Sequence, residues 1–307
     1  MCPSLQTPDM YLSAIVINTV SISFPFISMV VYARLILAIF WFKTISKSPD
    51  LSLFYVKFVL DFVLSLISFL KLIVYGLAVT RLSEFIFANH WLTFSVAWPV
   101  NLLTATRGIL LLFIAMDRTF ATYFPIMFFK YRKFIPTFLI VGIVMSYTFV
   151  DTLVAFVSCQ PNLNLPTTCV SAMCILGPCY QNYSLKFQQI CYSLISFVTL
   201  LLAIKLLIWN KCKNQIVNRD LRRANRLAFI ECAIIIIFDL IPPIVHSVCP
   251  SYFDYVGAIN SVAQTLGFVV EAFLTVINLQ QRYQTKLGSS TGNIFVRSGV
   301  ADPSAMF

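Results

Sequence analysis

The chain has 307 residues, of which 59% are apolar and only 11% charged, and its mean hydropathy is +0.85. A soluble domain carries about 25% charged residues, and so few charges could not cover its surface. The composition equally excludes a disordered chain, a collagen-like fibre and a small disulfide scaffold. Repeated long apolar runs instead predict a polytopic membrane protein.

Seven segments are long enough to cross a bilayer, which takes about 20 mostly apolar residues as a helix. Their continuously apolar character excludes a β-barrel, whose strands alternate with a period of two. Pro25 lies in the overlong first segment, which we expect to kink or tilt. We predict an all-α membrane protein, a seven-transmembrane helix bundle in one domain, 1–280, with a tail, 281–307. The predicted spans are 12–40, 51–79, 93–116, 135–158, 187–209, 227–249 and 257–280.

The distribution of Lys and Arg predicts the orientation of the bundle. Fifteen of the 22 lie in one set of loops and the tail, whereas only Arg81 and Lys186 lie in the opposite loops. Because cytoplasmic loops carry the excess of basic residues, we predict an extracellular N-terminus and a cytoplasmic C-terminus. The first ten residues contain no Lys or Arg, so the first span is expected to be an uncleaved anchor. The net charge of +10 follows from this topology and indicates no nucleic-acid partner.

Loop 159–184 has the features of an extracellular segment. It contains four cysteines, and oxidised pairs persist outside the cell. Three pairings among the four are open, and Cys2 or Cys249 could also take part. The loop holds the sequon Asn182-Tyr183-Ser184, which predicts a glycan on Asn182. The candidate disulfide residues are Cys159, Cys169, Cys174 and Cys179.

The end of the third span carries the most informative motif. Asp117 precedes Arg118, and Pro125 follows seven residues after the arginine. An Asp-Arg pair at this place, with a proline at this spacing, resembles the signature of rhodopsin-like receptors. The resemblance implies a switch, in which the Asp117 carboxylate holds the Arg118 guanidinium until the fifth and sixth helices separate and Arg118 supports a G protein. The alternative is an arginine that extends to the membrane interface and pairs with its neighbour for solvation.

The longer segment from Met116 to Pro136, MDRTFATYFPIMFFKYRKFIP, resembles the serpentine receptor class BC (Srbc) chemoreceptors of nematodes. The chain length, the cysteine-bearing outer loop and the short tail also suit that family. The resemblance implies a plasma-membrane receptor of sensory neurons that binds a small molecule and activates a heterotrimeric G protein. Arg222 and Arg223, between the fifth and sixth spans, are then expected to contact the G protein, although the orientation rule alone would explain basic residues there.

The chain also departs from the rhodopsin-like pattern. No cysteine lies between Cys2 and Cys159, so the usual disulfide from the third helix to the second outer loop cannot form. The sixth span has Leu240-Ile241-Pro242-Pro243 in place of Cys-Trp-x-Pro, and the seventh lacks Asn-Pro-x-x-Tyr. The inner details of the activation switch therefore stay open.

Charged residues inside the predicted spans are costly in a bilayer unless they are paired, and they point to function. Asp61 lies about 15 Å along the second span and Arg107 about 16 Å from Arg118, so their depths match. Many rhodopsin-like receptors bind sodium at this depth, and we infer that the Arg107 guanidinium replaces the ion. Lys57 and Glu271 complete a predicted cluster of two cations and two anions. A static network that fixes helix registry is an equal alternative.

A second group of residues indicates a ligand pocket among the outer helix ends beneath loop 159–184, although Asp239 lies nearer the predicted midplane. Each of them is also a candidate for ordinary hydrogen bonding between helices. The group comprises Lys71, Trp98, Asn101, Thr104, Asp151, Asp239 and His246.

Enzymatic chemistry finds little support, since H-E-x-x-H, P-loop and G-x-G-x-x-G patterns are all missing. With only 2 His, we expect neither a metal site nor a cofactor. One rival function is a seven-helix ligand-gated channel or transporter that uses the buried charges as its pathway. Another is an orphan or scaffolding member that no longer signals. Insect-type odorant channels have the N-terminus inside, which the distribution of basic residues contradicts.

Overall fold

A computed structural model describes residues 8–42, 51–78, 90–131, 136–160, 172–212, 226, 228–230, 232–248 and 262–278. Within these ranges the chain is helical apart from short connections, and no strand occurs in them. The helices are α1 (Pro8–Phe40), α2 (Ser52–Ala78), α3 (His90–Tyr123), α4 (Pro125–Tyr131), α5 (Thr137–Leu153, continued as a π-helix over Val154–Ser158), α6 (Ala172–Cys212), α7 (the described helical residues of 228–248, with Ile235–Leu240 π-helical and Ile241–Val248 α-helical) and α8 (Val262–Asn278).

Five of these helices are long and apolar enough to cross a membrane. The third is the most enclosed, with 56% of its apolar window buried against 22–33% in the other four, so α3 is the central helix. Large apolar side chains on α5 and α6 point outward, as expected where lipid replaces water. The spans are Thr19–Phe40, Ser52–Leu77, Trp91–Tyr123, Thr137–Ser158 and Gly177–Lys205, and Val262–Asn278 is a shorter apolar helix.

Helix α3 ends later than the sequence predicts. The predicted span stops at 116, whereas the helix continues to Tyr123 and so includes Arg118. Residues preceding a proline are disfavoured in the α conformation, and Phe124 precedes Pro125. The proline therefore fixes the end of α3 and starts α4, because Pro suits the first position of a helix.

Helix α6 begins earlier than the sequence predicts and is kinked at Gly177. There φ is 74° and ψ is 166°, a conformation that glycine adopts without a steric penalty. Pro178 follows and begins the straight part of the helix. The predicted loop reached residue 184, but Asn182 lies on the helix with an exposed side chain.

Apolar contacts hold the helices together around α3. The largest cluster joins residues from α1, α2, α3, α5, α6, α7 and α8. Buried hydroxyls add pairs between helices, with Ser65 donating to Ser28 at 3.1 Å and Thr106 bonded to Thr148 at 2.9 Å. Helices α7 and α8 approach closely at Gly267, where a Cβ atom would lie 2.8 Å from Cβ of Phe238. Only glycine fits there without displacing Phe238.

Candidate functional site

Five ionisable side chains from four helices meet in the interior of the bundle. They are at most 4% exposed, so each has left water and must be compensated by the others. Two lie one turn apart on α2, and α3, α7 and α8 each contribute one. The five are Lys57, Asp61, Arg107, Asp239 and Glu271.

The guanidinium of Arg107 reaches three carboxylates. Nε donates to Oδ1 of Asp61 at 3.1 Å, and Nη2 donates to Oε2 of Glu271 at 2.5 Å. Nη1 donates to Oδ2 of Asp239 at 3.4 Å, the longest of the three contacts. Cζ also lies 4.9 Å from the ring centroid of Phe268, a favourable cation–π geometry. Arg107 therefore connects α3 with α2, α7 and α8.

Lys57 is the second cation of the cluster and joins two of the same carboxylates. Its Nζ donates to Oδ2 of Asp61 at 2.6 Å and also to Oε1 of Glu271. All four oxygens of Asp61 and Glu271 thus face a cationic donor. Lys57, Asp61, Arg107 and Glu271 form a ring in which two positive and two negative charges alternate. We call these four residues the central ring.

Asp239, which the sequence analysis grouped with the ligand pocket, contacts Arg107 in this cluster. It lies in the π-helical stretch Ile235–Leu240, where each turn holds an extra residue and side-chain directions shift from those of an α-helix. The shift turns Asp239 toward Arg107. The cluster consequently has three carboxylates against two cations, rather than the balanced set that the sequence predicts.

A second group forms between α3, α5 and α6. Asp151 is 1% exposed, and the Tyr180 hydroxyl donates to its Oδ2 at 3.1 Å. The Trp98 ring centroid lies 5.4 Å from that of Tyr180 and 6.2 Å from that of Phe94. Trp98 and Asp151, both predicted pocket residues, therefore come together at Tyr180. The sequence analysis did not single out Tyr180 because it lay in the predicted loop.

Among the described residues, no contact links the other predicted pocket residues to this group. Lys71 lies over the ring of Tyr75 on its own helix, with Nζ 5.7 Å from the centroid. Thr104 donates to the backbone carbonyl of Val100 at 2.7 Å, also within its helix. Asn101 is half-buried on α3, and His246 lies on α7 with its side chain outside the described part of the structure.

In the motif at the end of α3, Arg118 forms an ion pair with the preceding residue, Asp117. Nη2 of Arg118 donates to Oδ2 of Asp117 at 2.5 Å, and Arg118 is 3% exposed. Two hydroxyls nearby attach α3 to α6, since Thr119 donates to the carbonyl of Val198 at 3.3 Å and Tyr123 to that of Leu201 at 3.0 Å. Arg222 and Arg223 lie outside the described residues.

Helix α4 presents apolar side chains that the sequence analysis did not single out. Ile126 is 85% exposed, and Phe124 and Met127 are also exposed. Their sequence signal is an apolar run that directly follows the Asp-Arg motif and its proline. These residues follow Arg118 by six to nine positions in the sequence. They add exposed apolar surface at this end of the bundle.

One disulfide is present among the described cysteines. Cys159 at the end of α5 is bonded to Cys179 at the start of α6, with Cα atoms 5.5 Å apart. Cys169 lies outside the described residues, as does the side chain of Cys174. The bond holds the ends of α5 and α6 beside the Trp98–Asp151 group.

A comparison with protein families finds a match over most of the chain. The family described as serpentine type 7TM GPCR chemoreceptor Srbc matches residues 10–283. The resemblance inferred from Met116 to Pro136 is thereby confirmed. A search of curated proteins finds none that matches the chain.

Proposed function

We propose that this chain, which belongs to the Srbc family of serpentine seven-transmembrane chemoreceptors, is a chemosensory receptor that binds a small molecule and activates a heterotrimeric G protein. The family is one of receptors rather than enzymes, and the apolar helices are those of a multi-pass membrane protein. The receptor would act in the plasma membrane of a sensory neuron. Ligand binding would shift the population between two helix arrangements, and the G protein would carry out the nucleotide chemistry.

The observation that carries coupling is the buried ion pair of Arg118 and Asp117. A buried arginine whose charge is compensated by the preceding residue is stable while the helices are closed. When α6 and α7 move outward, the guanidinium becomes accessible and can donate to carbonyl groups of an inserted partner helix. The pair thus supplies two states of one side chain, which is what a switch requires.

Two of the hydrogen bonds that oppose this opening are weak. The hydroxyls of Thr119 and Tyr123 each donate one hydrogen bond to a carbonyl on α6. Hydrogen bonds between membrane helices contribute about 1 kcal/mol each or less. Their combined strength is comparable with the few kcal/mol that separate two functional states of a receptor.

The proposed landing surface combines Arg118 with α4 and with the basic segment between α6 and α7. Ile126 and Met127 on α4 offer apolar area, and Arg222 and Arg223 offer positive charge. A partner with an amphipathic, partly acidic helix would complement such a surface. The predicted orientation places all of these residues on the cytoplasmic side.

The ligand site is proposed around Trp98 and Asp151, toward the opposite end of α3. Aromatic rings and a carboxylate there offer apolar area together with one polar group, as small-molecule sites usually do. The disulfide between Cys159 and Cys179 joins α5 and α6 beside this region.

The central ring does not favour the channel or transporter alternative. Lys57 and Arg107 already engage the four carboxylate oxygens of Asp61 and Glu271. Carboxylates that line an ion pathway must instead be free to exchange partners with the permeating ion.

A screen of small volatile and water-soluble compounds in cells that carry a G-protein reporter tests the proposal. We expect at least one compound to raise the reporter signal in cells with the wild-type chain and to leave cells with Arg118→Ala unchanged. Ligand-driven currents that persist without G protein would instead support a channel.

A further inference from the structure

The buried cluster has one carboxylate more than it has cations. Asp61, Asp239 and Glu271 face Lys57 and Arg107, which leaves a formal charge of −1 among side chains that are at most 4% exposed. An uncompensated charge at such burial costs several kcal/mol, and uptake of one positive charge removes that cost. The cluster therefore has a place for one more positive charge.

The hydrogen bonds identify which carboxylate is available. The oxygens of Asp61 and Glu271 each accept from a cationic donor of the central ring, so a proton there would displace an ionic contact. Asp239 makes one contact with the ring, from Oδ2 to Nη1 of Arg107, and at 3.4 Å it is the longest. Oδ1 of Asp239 lies outside that contact. A proton on Oδ1 leaves every short ion pair intact.

The same arrangement disfavours a metal ion as the extra charge. Monovalent and divalent hard cations require several oxygen ligands, about six for Ca²⁺ or Mg²⁺. Lys57 and Arg107 already engage the four oxygens of Asp61 and Glu271, and the Arg107 guanidinium occupies the space between the three carboxylates. A proton needs one oxygen only.

We propose that Asp239 is a proton-binding site and that the cluster is neutral because this residue carries one proton on Oδ1. The O–H bond forms with a proton taken from water, which is returned to water on release. The titratable groups that act on Asp239 are Arg107 of α3, Asp61 of α2, Tyr192 of α6 and Glu271 of α8, and Lys57 of α2 contacts two of them, Asp61 and Glu271.

The proton divides the cluster into a fixed part and a releasable part. The central ring is neutral by itself and joins α2, α3 and α8. Protonated Asp239 attaches α7 to this ring through one hydrogen bond, and moving α7 away then leaves no lone charge on either side. With Asp239 ionised, the same movement would expose a carboxylate and leave part of the Arg107 charge unpaired, which is more costly.

Neutralising each carboxyl in the full-length chain tests this assignment. Asp239→Asn keeps the shape and the neutral state, so we expect its yield of detergent-extracted, monodisperse protein to stay within about twofold of wild type. Asp61→Asn and Glu271→Gln, the matched controls, each remove two ionic contacts of the ring, which Asp239 cannot replace through its single 3.4 Å contact with Arg107, and should lower the yield several-fold. A loss in Asp239→Asn equal to that in the controls would overturn the proposal, as would equal tolerance of all three.

The melting temperature of the wild-type protein gives a second test that needs no functional assay. The native state would hold a proton that the unfolded chain releases above about pH 4, so stability falls as the pH rises. We expect the melting temperature to fall between about pH 5 and pH 8, and to fall less in Asp239→Asn. Replacing sodium with choline at constant ionic strength should have no effect. A sodium-dependent stabilisation that Asp239→Asn removes would assign the charge to sodium and contradict the proposal.

These tests stand apart from the proposed receptor function, because they measure folding and proton binding only. A protein that activates no G protein could still show the difference between Asp239 and the two ring carboxylates. Conversely, equal behaviour of the three carboxylates would leave G-protein coupling through Arg118 untouched.

Discussion

The guanidinium of Arg107 on α3 donates to the carboxylate of Asp61 on α2 at 3.1 Å, in the buried interior of the bundle. Lys57 also contacts Asp61, Glu271 also contacts Arg107, and Lys57 and Glu271 contact each other. The contact therefore belongs to a closed ring in which the loss of one charge affects three others. This arrangement decides how mutations at the two positions should combine.

The first prediction concerns the coupling between Asp61 and Arg107. Removing one partner of a buried ion pair leaves the other uncompensated, at about 3–5 kcal/mol in soluble proteins. Asp61→Asn and Arg107→Leu should each lower the amount of folded receptor, whereas the double variant should recover part of the loss. Folded protein after detergent extraction measures the effect in all three variants.

Lys57 and Glu271 complicate this cycle, because either can pair with the surviving charge. Lys57→Met and Glu271→Gln therefore serve as single-variant controls. Additive losses in the Asp61 and Arg107 double variant would show that the two side chains do not depend on one another.

The sequence was informative about the central ring because depth along a helix follows from counting residues. Asp61 and Arg107 lie at matching depths, and a rise of about 1.5 Å per residue is enough to pair them. Asp239 could not be placed in the same way. Its π-helical stretch changes the direction of side chains without any residue that marks it in the sequence.

The helix ends show a similar limit. Pro125 marks the end of α3 clearly, yet the polar Asp117 and Arg118 favoured an earlier stop because hydropathy falls there. At α6, cysteines and a sequon indicated a loop up to residue 184, whereas the helix begins at Ala172 and kinks at Gly177, before the sequon. Hydropathy marks only the part of a helix that lies in the hydrocarbon core of the bilayer. The helix itself can continue outside the core as long as its backbone hydrogen bonds are made.

The second prediction concerns the disulfide between Cys159 and Cys179, which closes a segment of 20 residues. A disulfide that closes a loop of this size stabilises the folded protein by about 3 kcal/mol, mainly because it restricts the unfolded chain. Cys159→Ser should lower the melting temperature, Cys179→Ser should lower it equally, and the double variant should be no worse than either. Thermal unfolding of purified receptor provides the measurement.

Reduction of the wild-type protein is the control for this experiment, since it should reproduce the melting temperature of the serine variants. Losses that add in the double variant would indicate that the two cysteines contribute separately. A larger loss on changing Cys169 and Cys174 together would favour a different pairing in this loop.

The third prediction is topological. We expect epitope tags at residue 1 and within 161–171 to be accessible on intact cells, because the opposite loops carry the basic residues. A tag after Phe307 should become accessible only when cells are permeabilised. Asn182→Gln should increase electrophoretic mobility as one glycan is lost. An accessible C-terminal tag on intact cells would reverse the orientation and the assignment of Arg118 to the cytoplasmic face.

The most direct test of the receptor proposal measures nucleotide exchange on a heterotrimeric G protein without any added ligand. Asp117→Asn removes the charge that holds Arg118 and should raise basal exchange, and adding Arg118→Ala to it should abolish the increase. Arg34→Ala, which changes an exposed arginine on α1, serves as the control and should leave the raised exchange unaffected. We expect loss of the raised exchange in the Asp117→Asn, Arg118→Ala double variant at unchanged receptor level; exchange that stays as high as in Asp117→Asn alone would contradict G-protein coupling through Arg118.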